Sequence, residues 1–242
     1  MKIKKLTFIL NLGILISLSV QSCVNSQSDS TSSKTFTISD FSGLNLELIG
    51  EVYYEQSDSF YLNASGSSLL IEDLKISEND GKLSIELKNK RKYSGDTKKL
   101  VIRVGSPRLQ AITFKSIGTL HIKNHFESDK LNITCNGVGK IKVDDCHVGI
   151  FNLASMSVGL IEIKGTSNET SINSEGVGEI DCSEFKSKNV KVVCRGIGST
   201  SVYAEDNLDI SASGIGNINY YGNPVSVKTD ISGMGKATKM DH

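Results

Sequence analysis

The sequence predicts an all-β protein whose larger part is a parallel β-helix, or β-solenoid, with about twenty residues per turn. Three observations carry this expectation. The first is a motif of a small residue, an apolar residue and Gly that recurs seven times, closing at Gly118, Gly139, Gly159, Gly178, Gly198, Gly216 and Gly235. These glycines are separated by 21, 20, 19, 20, 18 and 19 residues, a period fit for stacked units. The second is period-two alternation on both sides of each motif. The third is the shortness of the connections, which leaves no room for the crossover helices of a doubly wound α/β sheet.

Each element follows from numbering the repeat from its closing glycine. Position −6 holds Ile112, Ile133, Leu153, Ile172, Val192, Ile210 and Thr229, and position +2 holds Leu120, Ile141, Ile161, Ile180, Thr200, Ile218 and Ala237. Positions −4 and +4 are also mostly apolar or small, with polar residues between, so a short strand lies on each side of every glycine. Burying one such side chain contributes roughly 1.5–3 kcal/mol, and stacking repeats it rung after rung. Position −1 is apolar in all seven repeats yet out of phase with the alternation. A corner at the glycine, which tolerates φ > 0, is expected to bring that side chain back inward. The two prolines, Pro107 and Pro224, fall outside the strand positions.

Residues 106–242 form this repeat array, and 36–105 form a β-rich region before it. There Leu44, Leu46, Ile49, Gly50, Val52 and Tyr54 reproduce one rung that lacks the first glycine. Strand-like runs follow at 60–64, 83–87 and 100–104, with a polar loop over Lys88–Lys99. This region either continues the coil irregularly, covers its end or folds as a small separate domain, and some cap is required.

Residues 1–22 read as a secretory signal, with Lys2, Lys4 and Lys5 ahead of an apolar run from Leu6 to Val20. That run is short for a membrane span. Val20-Gln21-Ser22-Cys23 resembles the lipobox of bacterial lipoproteins, which implies cleavage before Cys23 and lipidation of that residue. The Ser-rich stretch Val24–Thr35 then reads as a flexible tether reaching at most ~40 Å. The expected partner of this end is a membrane, and by analogy with lipoproteins the outer one, facing either the periplasm or the surface. The chain balances 27 basic against 27 acidic residues, and loss of the signal removes three lysines and no acid, leaving a net charge of −3. Such a balance lacks the basic footprint of a nucleic-acid binder.

The segments Phe41-Ser42-Gly43-Leu44, Gly81-Lys82-Leu83-Ser84-Ile85 and Ser106-Pro107-Arg108-Leu109-Gln110-Ala111-Ile112, with the serial Gly-apolar-Gly motifs, resemble the head GIN domain family of auto-transporter adhesins. The resemblance spans residues 36–240. It implies a right-handed β-helix and an adhesin-like role in the cell envelope, and it brings no catalytic residue to carry over. Ser116 and Ser157 depart from the pattern by replacing the first glycine.

Candidate sites are few. Cys135, Cys146, Cys182 and Cys194 are even in number, but the register puts Cys135 and Cys194 three rungs apart, about 14 Å, where a disulfide needs Cα atoms within about 7 Å. They read as small buried hydrophobes. Glu162 and Asp181 fall on adjacent rungs, as do Leu160 and Glu179, yet acids and bases alternate and no acidic ladder forms. Asp144-Asp145 reads as a turn. The four histidines are scattered in sequence, so no metal and no cofactor is expected. Tyr203 and Tyr221 share outward position +5 on consecutive rungs and form an aromatic pair able to stack on sugar rings or an apolar partner. The same pair also serves as plain cross-rung packing. The sequence therefore points to a non-enzymatic envelope lipoprotein that binds a glycan or a protein through a β-helical face. The alternatives are a β-helix polysaccharide lyase or hydrolase, and a structural envelope component that assembles as a homo-oligomer.

Overall fold

A computed structural model describes residues 30–89 and 99–241. The signal, Cys23 and most of the expected loop at 88–99 lie outside the described residues. The chain folds as a β-solenoid of about 6 turns with ~20 residues per rung. Its strands are β1 (Thr31–Phe36), β2 (Gly43–Glu47), β3 (Ile49–Gln56), β4 (Tyr61–Ser67), β5 (Leu74–Asn79), β6 (Lys82–Leu87), β7 (Leu100–Ser106) and β8 (Ala111–Phe114). Then come the long winding strands β9 (Ile117–Cys135), β10 (Val138–Ser155), β11 (Val158–Ser174), β12 (Val177–Cys194) and β13 (Ile197–Ala212). The array closes with β14 (Ile218–Tyr221), β15 (Ser226–Ile231) and β16 (Ala237–Lys239), and one short helix, α1 (Ser68–Glu72), lies between β4 and β5.

From β9 to β13 each rung pairs in parallel with the next, and the closing glycines align in one column: Gly118 with Gly139, then Gly159, Gly178 and Gly198. Positions −6, +2 and +4 face the interior, where Leu120, Ile122, Ile133, Ile141, Val143, Ile161, Ile172 and Val192 are all buried. Phe126, Phe151 and Phe185 fill the wider part of the lumen, with Phe151 and Phe185 packed edge-on at 5.1 Å. The parity read from the sequence holds from β9 to β13.

It holds more strictly than expected at the corner. Gly118, Gly139, Gly159, Gly178, Gly198 and Gly216 adopt φ between +138° and +148°. A Cβ at each would run into the carbonyl oxygen of the equivalent glycine one rung before. The glycines thus let successive rungs approach closely along the axis, but the bend does not turn position −1 inward. Ile117, Val138, Val158, Val177, Ile197, Ile215 and Met234 point outward instead, each 47–68% exposed. The expected inward column at −1 is an external ladder.

The first rung in the chain is not the first rung in space. β2 lies between β6 and β8, and β3 lies between β7 and β9, with Gly50 in register with Gly118. The later segment β6–β7 therefore stacks on the outer side of the rung formed by β2 and β3. Antiparallel strands finish this end: β5 on β6, β4 on β7 and β1 on β4. α1 links β4 to β5, packs against β1 and β4, buries Leu70 and Ile71, and has its first turn capped by Ser67 Oγ accepting from the Leu70 N–H. Region 36–105 is both a continuation of the solenoid and its cap.

β1 corrects the reading of the tether. Thr31–Thr35 pair residue by residue with Ser67–Asn63, although their side chains are polar. The backbone explains this: β4 would otherwise present an open edge, and Ser, Thr and Lys side chains suit an exposed edge strand. From Thr31 onward the expected tether is therefore strand.

Candidate functional site

The coil offers three outward features. The ladder at −1 is the longest. Each of its N–H groups donates to the −2 carbonyl of the preceding rung, for example Val138 to Ser116 at 2.9 Å and Ile197 to Gly176 at 2.9 Å. The backbone is therefore satisfied and only the side chains face water. Glycines at 0, and small residues at −2, flank each apolar side chain, so the ladder stands as a ridge. Six steps at the strand spacing give it a length of about 29 Å. Met156, two residues ahead of Val158 and 58% exposed, widens it at one rung.

Tyr203 and Tyr221 are direct partners across β13 and β14. Both are half-buried, and Lys186 Nζ lies 5.6 Å from the centre of the Tyr203 ring. Glu162 and Asp181 do face each other on β11 and β12, but each is engaged. Lys140 Nζ is 2.7 Å from Glu162, and Asp181 accepts from the Ser183 N–H and hydroxyl at 3.0 and 2.6 Å. The four cysteines from 135 onward are free thiols, with Cys135, Cys146 and Cys182 buried and Cys194 half-buried. Burial pushes the Cys146 thiol up to about 12 and raises those of Cys182 and Cys194 as well.

The histidines are less scattered in space than in sequence. His121, His125 and His147 all sit on β9 and β10, where the register shifts just after Val143. His125 lies opposite Asp145, and Glu127 opposite His147. His125 Nδ1 is 3.0 Å from Asp145 Oδ2, and His147 Nε2 is 2.9 Å from Asp145 Oδ1. The donor atoms of His125, Asp145 and His147 lie within 4.8 Å of one another. Hydrogen bonds to Asp145 and Glu127 raise the His125 pKa, and those from His125 and His147 help lower that of Asp145. Sequence reading missed this cluster. The available signal was the spacing of one period between His125 and Asp145, hidden by the bulge that brings them into line.

The sequence profile of the family described as "Putative auto-transporter adhesin, head GIN domain" matches residues 40–224. The chain belongs to this family. A search of curated proteins returns no match. Among solved structures, a "putative adhesin" from Bacteroides fragilis is 26% identical with a TM-score of 0.85, covering 88% of this chain and 98% of that one. A "putative lipid binding protein" from Parabacteroides distasonis is 22% identical with a TM-score of 0.63, covering 87% and 97%. A "putative adhesin" from Parabacteroides merdae is 22% identical with a TM-score of 0.59, over 87% and 96%. The latter two show a shared fold. Among the described residues no helix is long and apolar enough to cross a membrane.

Proposed function

We propose that this head GIN protein is a non-enzymatic, adhesin-like component of the cell envelope, held at a membrane, by analogy the outer one, through lipidated Cys23. Its partner is a protein that offers an apolar groove to the ladder Ile117–Met234. The observation that carries this reading is the exposure of seven aliphatic or Met side chains in one straight line, a larger apolar feature than single scattered residues. Aliphatic side chains carry no donors or acceptors for sugar hydroxyls, so this ridge suits a protein groove better than a glycan. The engaged state of Glu162 and Asp181 supports a binding role over hydrolysis.

Anchoring and binding are tested separately. Cys23→Ser is expected to abolish incorporation of a radiolabelled fatty acid, and persistent label would refute the lipoprotein assignment. For binding, a photo-reactive side chain at position 177 in living cells is expected to give an adduct with one defined protein, lost in Val158→Glu/Ile197→Glu. Adducts with lipid, glycan or a second copy alone would overturn the protein-partner reading.

A second reading rests on the register of Tyr203 with Tyr221, a ready stacking platform for a sugar ring. Glycan-array binding that disappears in Tyr203→Ala/Tyr221→Ala would favour it, and an unchanged array would eliminate it.

A further inference from the structure

We propose that His125, Asp145 and His147 form a binding site for a divalent transition metal ion of the zinc class, a site separate from the apolar ladder. The argument begins with the rungs. Parallel stacking sets His125 of β9 directly against Asp145 of β10, and the i, i+2 spacing returns His147 to the same face. One nitrogen of each ring is aimed at a different oxygen of the same carboxylate, at 3.0 Å for His125 Nδ1 and 2.9 Å for His147 Nε2. The two rings stand 4.9 Å apart between centroids. Two nitrogens and a carboxylate therefore converge on one point from two rungs.

The outward nitrogens are held as well. His125 Nε2 lies 2.8 Å from Glu127 Oε1, and His147 Nδ1 lies 2.8 Å from Thr166 Oγ1 on the next rung. Metal-bound imidazoles generally have their second nitrogen fixed by a carboxylate or another oxygen, which sets tautomer and ring orientation. Here both outer partners are in place. The carboxylates of Asp145 and Glu127 supply two negative charges, which a divalent cation balances when both imidazoles are neutral.

The donor set selects the ion. Two imidazoles and one carboxylate suit zinc, nickel or copper, whereas calcium requires six to eight oxygens and magnesium a near-octahedral oxygen shell. Tetrahedral zinc with bonds of about 2.0–2.2 Å brings ligand atoms to roughly 3.4 Å of one another. The present spread is up to 4.8 Å, so closure takes a small rotation of side chains that are partly exposed. Three protein ligands leave a fourth position for water, on the solvent side of the coil.

The test is calorimetric titration of the full mature domain, free of any histidine tag, with zinc chloride, and with nickel, calcium and magnesium chlorides as comparisons. One equivalent of zinc is expected to bind, with affinity falling at least tenfold in Asp145→Asn and beyond detection in His125→Ala/His147→Ala. Glu127→Gln, which alters only an outer partner, is expected to weaken binding about tenfold while keeping the stoichiometry. In imidazole nitrogen spectra zinc should shift His125 and His147 and leave His121 in place. Unchanged circular dichroism in each variant separates a lost site from a lost fold. No zinc binding at 100 µM-scale concentrations (on the order of the weakest specific sites, roughly 5–6 kcal/mol) would overturn the proposal. So would binding undiminished in the double histidine variant, or calcium binding as tightly as zinc.

Discussion

The two ends of this coil stop in opposite ways. At the N-terminal end the last parallel rung is covered by the antiparallel strands β1, β4 and β5, and α1 packs on β1 and β4 with Leu70 and Ile71 buried. At the C-terminal end nothing among the described residues covers the final rung. Position −6 passes from buried Val192 and Ile210 to exposed Thr229, and Val225 and Val227 stand in water. The interior thins before it ends: Cys194, Thr200 and Ala212 line a cavity of about 30 Å³ beside the glycine column. In place of a cover, the last rung carries Lys228, Asp230, Lys236 and Lys239. Charged edge strands resist pairing with another chain. One end is closed by packing and the other by charge, so stability should be graded along the axis rather than shared evenly.

The sharpest way to break the comparison is at the glycine column. Gly178→Ala places a Cβ against the Gly159 carbonyl at φ +148°, in mid-coil, where neither rung can yield. A loss of about 4 kcal/mol or more is expected, read as absence of a cooperative melting transition. Gly235→Ala meets the same kind of contact with Gly216 but on the terminal rung, which is free to shift, and about 1 kcal/mol is expected. Equal effects would refute the gradient.

A smaller effect comes from core truncation. Leu83→Ala in β6, fully buried beneath the cap, should cost about 2–5 kcal/mol in denaturant unfolding. Ile231→Ala in half-exposed β15 should cost less than about 1 kcal/mol. The least effect is on reactivity. Burial raises the thiols of both Cys182 and Cys194, so labelling of either should accelerate as pH rises toward their shifted values. Half-buried Cys194, nearer the open end, should react before fully buried Cys182, and the reverse order would place the weak region elsewhere.

Most of the fold was legible because the solenoid writes its register into the sequence. Ile141, Ile161 and Ile180 share one position from the glycine and stack in the structure as they align in the chain. The sequence was less informative where two segments far apart in the chain meet. Nothing local tells that Leu83 and Ile85 stack outside Leu44 and Leu46, or that polar Thr31–Thr35 belong to a strand, because both depend on an edge made elsewhere. Val138 and its equivalents were misjudged because the alternation already placed them outward, and the bend at the glycine does not reverse that. The His125–Asp145–His147 group was hidden by a change of register that counting from glycine cannot detect.

Those register shifts gather mostly in one place. They fall after Val143, Glu162 and Cys182, at +3 or +4 from the glycine, with one further shift after Ser187, while the glycine column never slips. The coil therefore has one corner that keeps count and one that absorbs residues gained or lost, which is how rungs of 18 to 21 residues coexist in a single stack. Insertions and new side chains can accumulate at the forgiving corner without disturbing the column. His125, Asp145 and His147 stand at that corner, where a lineage is free to try chemistry on a scaffold that does not change.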